Sequence, residues 1–229
     1  MLRNLLKPKW IALTLFLLLV IYVFINLSEW QFNRNFQKQS INSAISSELM
    51  KPEIEILNVE DLDNLKEWQK VKLKVDIESS QLQLVRKRYL EDKLGFYVVG
   101  SSKTENLNNI VINFGWIPIA DQANQNPEIP NLSGTYEISG WLRIFEKHKP
   151  TPSDYPPLQI ATISKENFKN ISNNFYIQAK ELNPKFGEIR QLGEPKLSAG
   201  PHLSYAIQWI LFALLVPIGW FILLRSENK

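Results

Sequence analysis

The sequence predicts an α+β membrane protein: two transmembrane helices flanking one extramembranous, antiparallel β-rich domain with one or two short helices. Three observations predict it. A charge-free apolar block stands near each end of the 229 residues. The residues between the blocks have the composition of a soluble domain. That middle also alternates polar and apolar side chains in runs of strand length.

Residues 1–9 are a basic tail carrying Arg3, Lys7 and Lys9. The first span is 10–27, in which 13 of 18 residues are Leu, Ile, Val or Phe. At about −0.3 to −0.6 kcal/mol each, they favour insertion by roughly 4–8 kcal/mol. At about 1.5 Å per residue the block reaches roughly 27 Å, close to the thickness of a bilayer core. The rival reading is a cleaved signal peptide. The run exceeds an h-region, and Asn26-Leu27-Ser28-Glu29-Trp30 offers no small-x-small cleavage site, so an uncleaved anchor is expected.

The outer domain is 28–204. Residues 28–50 read as a helix continuing out of the span, ended by Lys51-Pro52. Trp30, Arg34, Lys38, Ile41, Ile45 and Leu49 recur at threes and fours on one of its faces. Residues 60–67 read as a short acidic helix. The strongest period-two run follows in Trp68–Ile77, where Val71, Leu73, Val75 and Ile77 alternate with Lys72, Lys74 and Asp76. Further strands are predicted at 82–88, 95–100, 110–119, 134–146, 158–163 and 174–180, separated by Asn- and Pro-rich stretches. A short helix over 165–171, with Ser164 as N-cap, interrupts them. The expected result is an antiparallel sheet, curled toward a barrel, with a helix or two packed on it.

The second span is 205–224, with 12 of 20 residues Leu, Ile, Val or Phe and Trp209 and Trp220 toward its two ends. Pro217 and Gly219 are tolerable in a membrane helix. Residues 225–229 form a second short tail with Arg225 and Lys229. Basic tails predict both termini on the cytoplasmic side, and two spans then put the central domain on the other. The first span starts too early to follow a mitochondrial presequence. The expected location is the bacterial inner membrane, with the central domain periplasmic.

Composition excludes several functions. Five of the 26 Lys/Arg and one of the 23 Asp/Glu lie in the tails, so the central domain is nearly neutral and lacks the basic excess of a nucleic-acid binder. The absence of Cys removes disulfides and thiolate chemistry. His148 and His202 are the two histidines, too few for a His-rich metal site, and His148 sits in a charged, Pro-rich loop. No nucleophile–base pair, phosphate loop or paired catalytic carboxylates stands at an interpretable spacing, so no enzyme is predicted.

Four segments carry a family likeness. They are Trp30-Gln31-Phe32-Asn33-Arg34-Asn35-Phe36-Gln37-Lys38, Val111-Ile112-Asn113-Phe114-Gly115-Trp116-Ile117-Pro118, Ser139-Gly140-Trp141-Leu142-Arg143 and His202-Leu203-Ser204-Tyr205-Ala206. In this order, inside a hairpin-anchored β-rich chain, they resemble the surfeit-locus (Surf-one) family of cytochrome oxidase assembly proteins. Ser28, Phe114, Gly200-Pro201 and Gln208 depart from the family pattern and suggest a divergent member.

The resemblance implies an assembly factor for haem–copper cytochrome c oxidase that binds or presents haem a for insertion into the catalytic subunit. The implied partners are that subunit, the haem a synthesis machinery and the lipid bilayer. The alternative is a membrane-tethered scaffold that docks on oxidase subunits without haem. The candidate cofactor-binding residues are His202, Trp209, Arg34 and Lys38, with His202 as ligand to the haem iron. On a helix, His202, Ala206, Trp209 and Ala213 share a face, and a neutral imidazole is a competent axial ligand. The plain alternative is an interfacial His meeting headgroups, with the alanines serving helix contact. Arg34 and Lys38 suit haem propionates, or equally the lipid phosphates at the membrane boundary. Gln208, polar inside a span, is expected to find a partner.

Overall fold

A computed structural model describes residues 7–57, 61, 65–102, 109–119, 125–171, 173–185 and 187–227. Arg3, Lys229 and most of the acidic segment 60–64 lie outside the described residues. The chain divides into a helical unit, residues 1–44 with 196–229, and a sheet unit, residues 45–195.

Helix α1 runs from Pro8 to Leu49 without a break. Proline suits its first position, where the missing N–H would have had no helical partner, and Lys51-Pro52 closes the other end. Helix α2 runs from His202 to Ser226. Gly200 takes φ +73° just before it, a backbone conformation that glycine adopts without strain. Both helices are long and apolar enough to cross a membrane.

Within the helical unit α1 and α2 are antiparallel. Lys9 pairs with Glu227 at one end, and Gln31 meets His202 at the other. Trp10, Ser28 and Asn35 are the buried residues of α1, and Ala206, Ala213 and Leu224 those of α2. On α2 the inward positions His202, Ala206, Trp209, Ala213, Val216 and Trp220 recur at four and three. That spacing marks a left-handed coiled-coil seam.

The sheet unit holds eight strands: β1 (Ile54–Glu55), β2 (Lys70–Ile77), β3 (Leu82–Leu90), β4 (Lys93–Ser102), β5 (Ile110–Pro118), β6 (Gly134–Ile144), β7 (Gln159–Ile160) and β8 (Phe175–Asn183). They form one sheet in the order β1-β2-β6-β8-β5-β4-β3-β7. Consecutive long strands pair antiparallel where a tight turn joins them, as in β3–β4. The pairs β1–β2, β3–β7 and β5–β8 are parallel, so the sheet is mixed.

The alternation on β2 works as predicted: Val71, Leu73, Val75 and Ile77 are buried together with Leu84, Phe96, Val98, Ile112, Phe114 and Ile138. Inward side chains from β2 through β8 thus share one core, which the curled sheet encloses. The outer face carries a second cluster of Val85, Val99, Val111, Ile160, Ile163 and Tyr176.

The helix expected at 165–171 takes another form, and the acidic one at 60–67 falls partly outside the described residues. Residues 165–167 make a single 3-10 turn. Ser164 does not cap it with its side chain, because that hydroxyl meets His148 Nδ1 at 2.9 Å and Asn167 Nδ2 at 3.2 Å. Of the described residues in the acidic segment 60–67, Asp61 is in a 3-10 turn, Leu65 and Lys66 are loop and Glu67 is turn.

The Gly115-Trp116 segment is a β-bulge, and Gly140-Trp141 stands opposite one, where Lys180 is the extra residue of β8. In β5 the register slips at Asn113–Gly115 against β4, and Asn113 Oδ1 accepts the Gly115 N–H at 3.2 Å. Gly115 sits at φ +137°, and a Cβ there would lie 2.5 Å from the Arg190 carbonyl oxygen. The adjacent Trp116 exchanges backbone hydrogen bonds with Arg190 at 2.8 and 2.9 Å. In β6 the register slips at Ser139/Gly140 against β8, where a Gly140 Cβ would lie 2.3 Å from the Gln178 carbonyl oxygen. Trp116 and Trp141 are each 1% exposed and fill the space beside the bulges.

Gly115→Ala combines backbone strain with a steric clash, and is expected to cost about 2 kcal/mol or more. Thermal unfolding of the full chain in nanodiscs checks it. A second expectation concerns alkali. Burial pushes the Tyr176 phenol up to about 12 from its ordinary 10. The unfolded chain therefore loses that proton first: stability is full below about pH 10 and falls by about 2–3 kcal/mol as pH rises toward 12. Tyr176→Phe should flatten that fall in unfolding measured between pH 9 and 12.

Candidate functional site

The candidate residues of the helical unit gather where α2 begins. His202 is the first residue of α2, and its Nδ1 lies 2.8 Å from Gln31 Oε1 on α1. An amide oxygen only accepts hydrogen bonds, so Nδ1 carries the proton. In the neutral imidazole the lone pair is then on Nε2, which has no hydrogen-bond partner among the described residues. Metal-ligating histidines are commonly oriented in this way, with the second ring nitrogen donating to an oxygen.

What brings the two side chains together is the seam one turn below. Ser28 Oγ donates to the Ala206 carbonyl at 2.9 Å, and Ala206 is fully buried. A small residue on each helix allows the backbones to approach closely. Gly200 leaves the outer edge of the imidazole uncovered: a Cβ there would stand 3.8 Å from Nε2. The donor set thus offers one accessible imidazole nitrogen of fixed tautomer, which fits a single axial bond to a haem iron.

Of the face predicted on α2, Ala206 and Ala213 are buried in the helix–helix seam, so they serve helix contact. Trp209 packs two turns deeper, its ring 5.5 Å from Phe24 and 5.8 Å from Phe212. Arg34 lies one turn above Gln31 on α1. It is exposed, and its Nη1 reaches only Gln37 Oε1 at 3.4 Å. Lys38 lies two turns above Gln31, half-buried on the same stripe. Among the described residues neither cation has a carboxylate partner. Gln208 is exposed on α2, with no polar partner among the described residues.

Gln31 reads from the sequence as a helix-packing hydrogen-bonder rather than a site residue, and the structure brings it to the imidazole. Its seven-residue separation from Phe24 and Lys38, and three-residue separation from Ser28, placed it on the inward stripe. The residues Asn113, Gly115, Trp116, Gly140 and Trp141 serve the sheet instead. Arg143 is held there too: Nε donates to Glu67 Oε1 and Nη1 to Gln178 Oε1, both at 3.0 Å, with the guanidinium 3.8 Å over the Trp68 ring.

A family model described as the SURF1 family matches residues 18–214. Uncharacterized SURF1-like proteins of Mycobacterium bovis and of two strains of Mycobacterium tuberculosis are each 27% identical to the chain, over 94% of it and 83% of theirs.

The geometry at His202 yields a spectroscopic expectation. Imidazole 15N resonances should show His202 as the Nδ1–H tautomer, and Gln31→Ala should shift it toward Nε2–H. An unchanged tautomer would show that Gln31 does not set it.

Proposed function

The chain belongs to the SURF1 family, and from that premise we propose that it serves cytochrome oxidase assembly by holding haem a at the membrane interface. The haem is cargo, taken from the haem a synthesis machinery and released to the catalytic subunit of the oxidase. His202 Nε2 is the axial ligand, and Gln31 is the positioning residue that keeps that nitrogen deprotonated and the ring oriented. Arg34 and Lys38 meet the propionates, and Trp209 lines the deeper side. The site supplies one protein ligand, which suits cargo that has to be given up.

The observation that carries this reading is the 2.8 Å contact between His202 Nδ1 and Gln31 Oε1, which directs the free lone pair outward beside glycine rather than into protein. Two cations above it, without a carboxylate partner among the described residues, support the reading, since a carboxylate there forms charge-assisted hydrogen bonds. Binding and transfer require no bond-making in the protein, in keeping with a non-enzymatic role. The topology that fits is the bacterial inner membrane, with residues 1–9 and 225–229 cytoplasmic, spans at 10–27 and 205–224, and the domain of 28–204 periplasmic.

Purification from cells that also make haem a tests the proposal. The wild-type chain should carry a Soret band, and His202→Ala should lose tenfold or more of its haem. Gln31→Ala should weaken binding less, while Gln31→Glu, which restores the acceptor, should recover it with a lowered reduction potential. A haem-free wild type that still co-purifies with oxidase subunits would point to the scaffold role.

A further inference from the structure

The helical unit carries an apolar groove of about 510 Å³, whose course is marked by Leu13, Leu17, Phe24, Phe212, Gly219 and Trp220. The one polar side-chain group among its lining residues is already used: Trp220 Nε1 donates to Thr14 Oγ1 at 3.1 Å.

The groove lies below the His202–Gln31 site on the same two helices. Phe24 is seven residues from Gln31 and Phe212 ten from His202, so the upper end begins about 10–15 Å deeper. Eighteen residues are about five helical turns, so Leu13 points the same way as Gln31, and Trp220 the same way as His202. Trp209 and Phe24 bridge the gap, with Phe24 and Phe212 rings 5.9 Å apart at the groove's mouth. From Phe24 to Leu13 the groove extends roughly 16 Å.

We infer that this groove receives the isoprenoid tail of haem a, and so selects haem a over tail-less protohaem. The inference rests on the His202 reading above. Haem a carries a hydroxyethylfarnesyl chain on a ring edge away from its propionates. With the carboxylates drawn toward Arg34 and Lys38, the chain leaves the ring toward the membrane interior. Three isoprene units laid end to end run about as far as the groove. Lipid tails are as apolar as the groove wall, so selectivity cannot come from leaving water. It comes from dispersion contacts in a preformed concavity, made by a chain already tethered at its top.

Gly219 provides the test. A Cβ built there meets nothing within 4 Å, so a side chain enters the groove without touching the hairpin. The full chain in nanodiscs is titrated with haem a and, separately, with protohaem. The wild type should bind haem a roughly tenfold or more tightly than protohaem. Gly219→Leu should remove most of that preference by weakening haem a, with protohaem binding within about twofold of wild type. Ile218→Phe, on the exposed side of the same turn, should keep the preference. Equal affinity of the wild type for the two haems, or equal loss of both in Gly219→Leu, overturns the groove as a tail site and leaves His202 as ligand standing; a lipid-filled groove gives that result. Binding of neither haem overturns the His202 reading, and the groove inference with it.

Discussion

The close approach of α1 and α2 at Ser28 and Ala206 governs the helical unit. Inside a bilayer no hydrophobic gain draws two helices together, so packing and interhelical hydrogen bonds must hold them. Ser28 does both: its hydroxyl binds the Ala206 carbonyl, and its size lets the backbones meet. The Gln31–His202 bond one turn above follows from that distance, as does the edge-on packing of Trp10 and Trp220 at the other end. Ser28 is also one of the departures from the family pattern, and here it is small and supplies a hydrogen bond.

The sheet unit obeys a different constraint. A strand that must bend around a core needs places where one residue is extra, and each such place brings backbone against backbone. Gly115 stands at one of these and Gly140 faces another, on β8, and the tryptophans that follow them fill the space beside them. The segments that carry the family likeness therefore divide by role. The two inside the sheet preserve its curvature, and the two on the helices, mid-α1 and at the start of α2, build the candidate ligand site. The departure at Phe114 falls on the bulge itself, where the side chain is fully buried in the core, a position suited to an aromatic ring.

Much of this was legible in the sequence. Charge-free runs gave both spans, and period-two alternation gave β2 because one of its faces is fully buried. The outer strands were placed to within a few residues. Order and direction were not legible: the parallel β5–β8 pairing joins residues about 65 apart, and no local pattern encodes it. The 3-10 turn at 165–167 was overestimated as a helix because Ser164 resembles a cap, while its hydroxyl is engaged by His148. At the site, the lone interfacial histidine was conspicuous. Gln31 was legible as a hydrogen-bonding residue of helix packing, while its partner on the other helix was not. Trp209 read as a neighbour of the imidazole because both lie on one helical stripe. The structure shows that stripe turned inward, so the ring packs with Phe24.

The unbroken course of α1 gives it the character of a drive shaft. Forty-two residues without a kink make a rod of about 63 Å, with Gln31, Arg34 and Lys38 fixed in phase with the lipid-embedded turns beneath them. Adding or deleting one residue below Ser28 would swing all three through about 100°. The spacing between span and site is thus a timing mark that evolution can change only by whole turns.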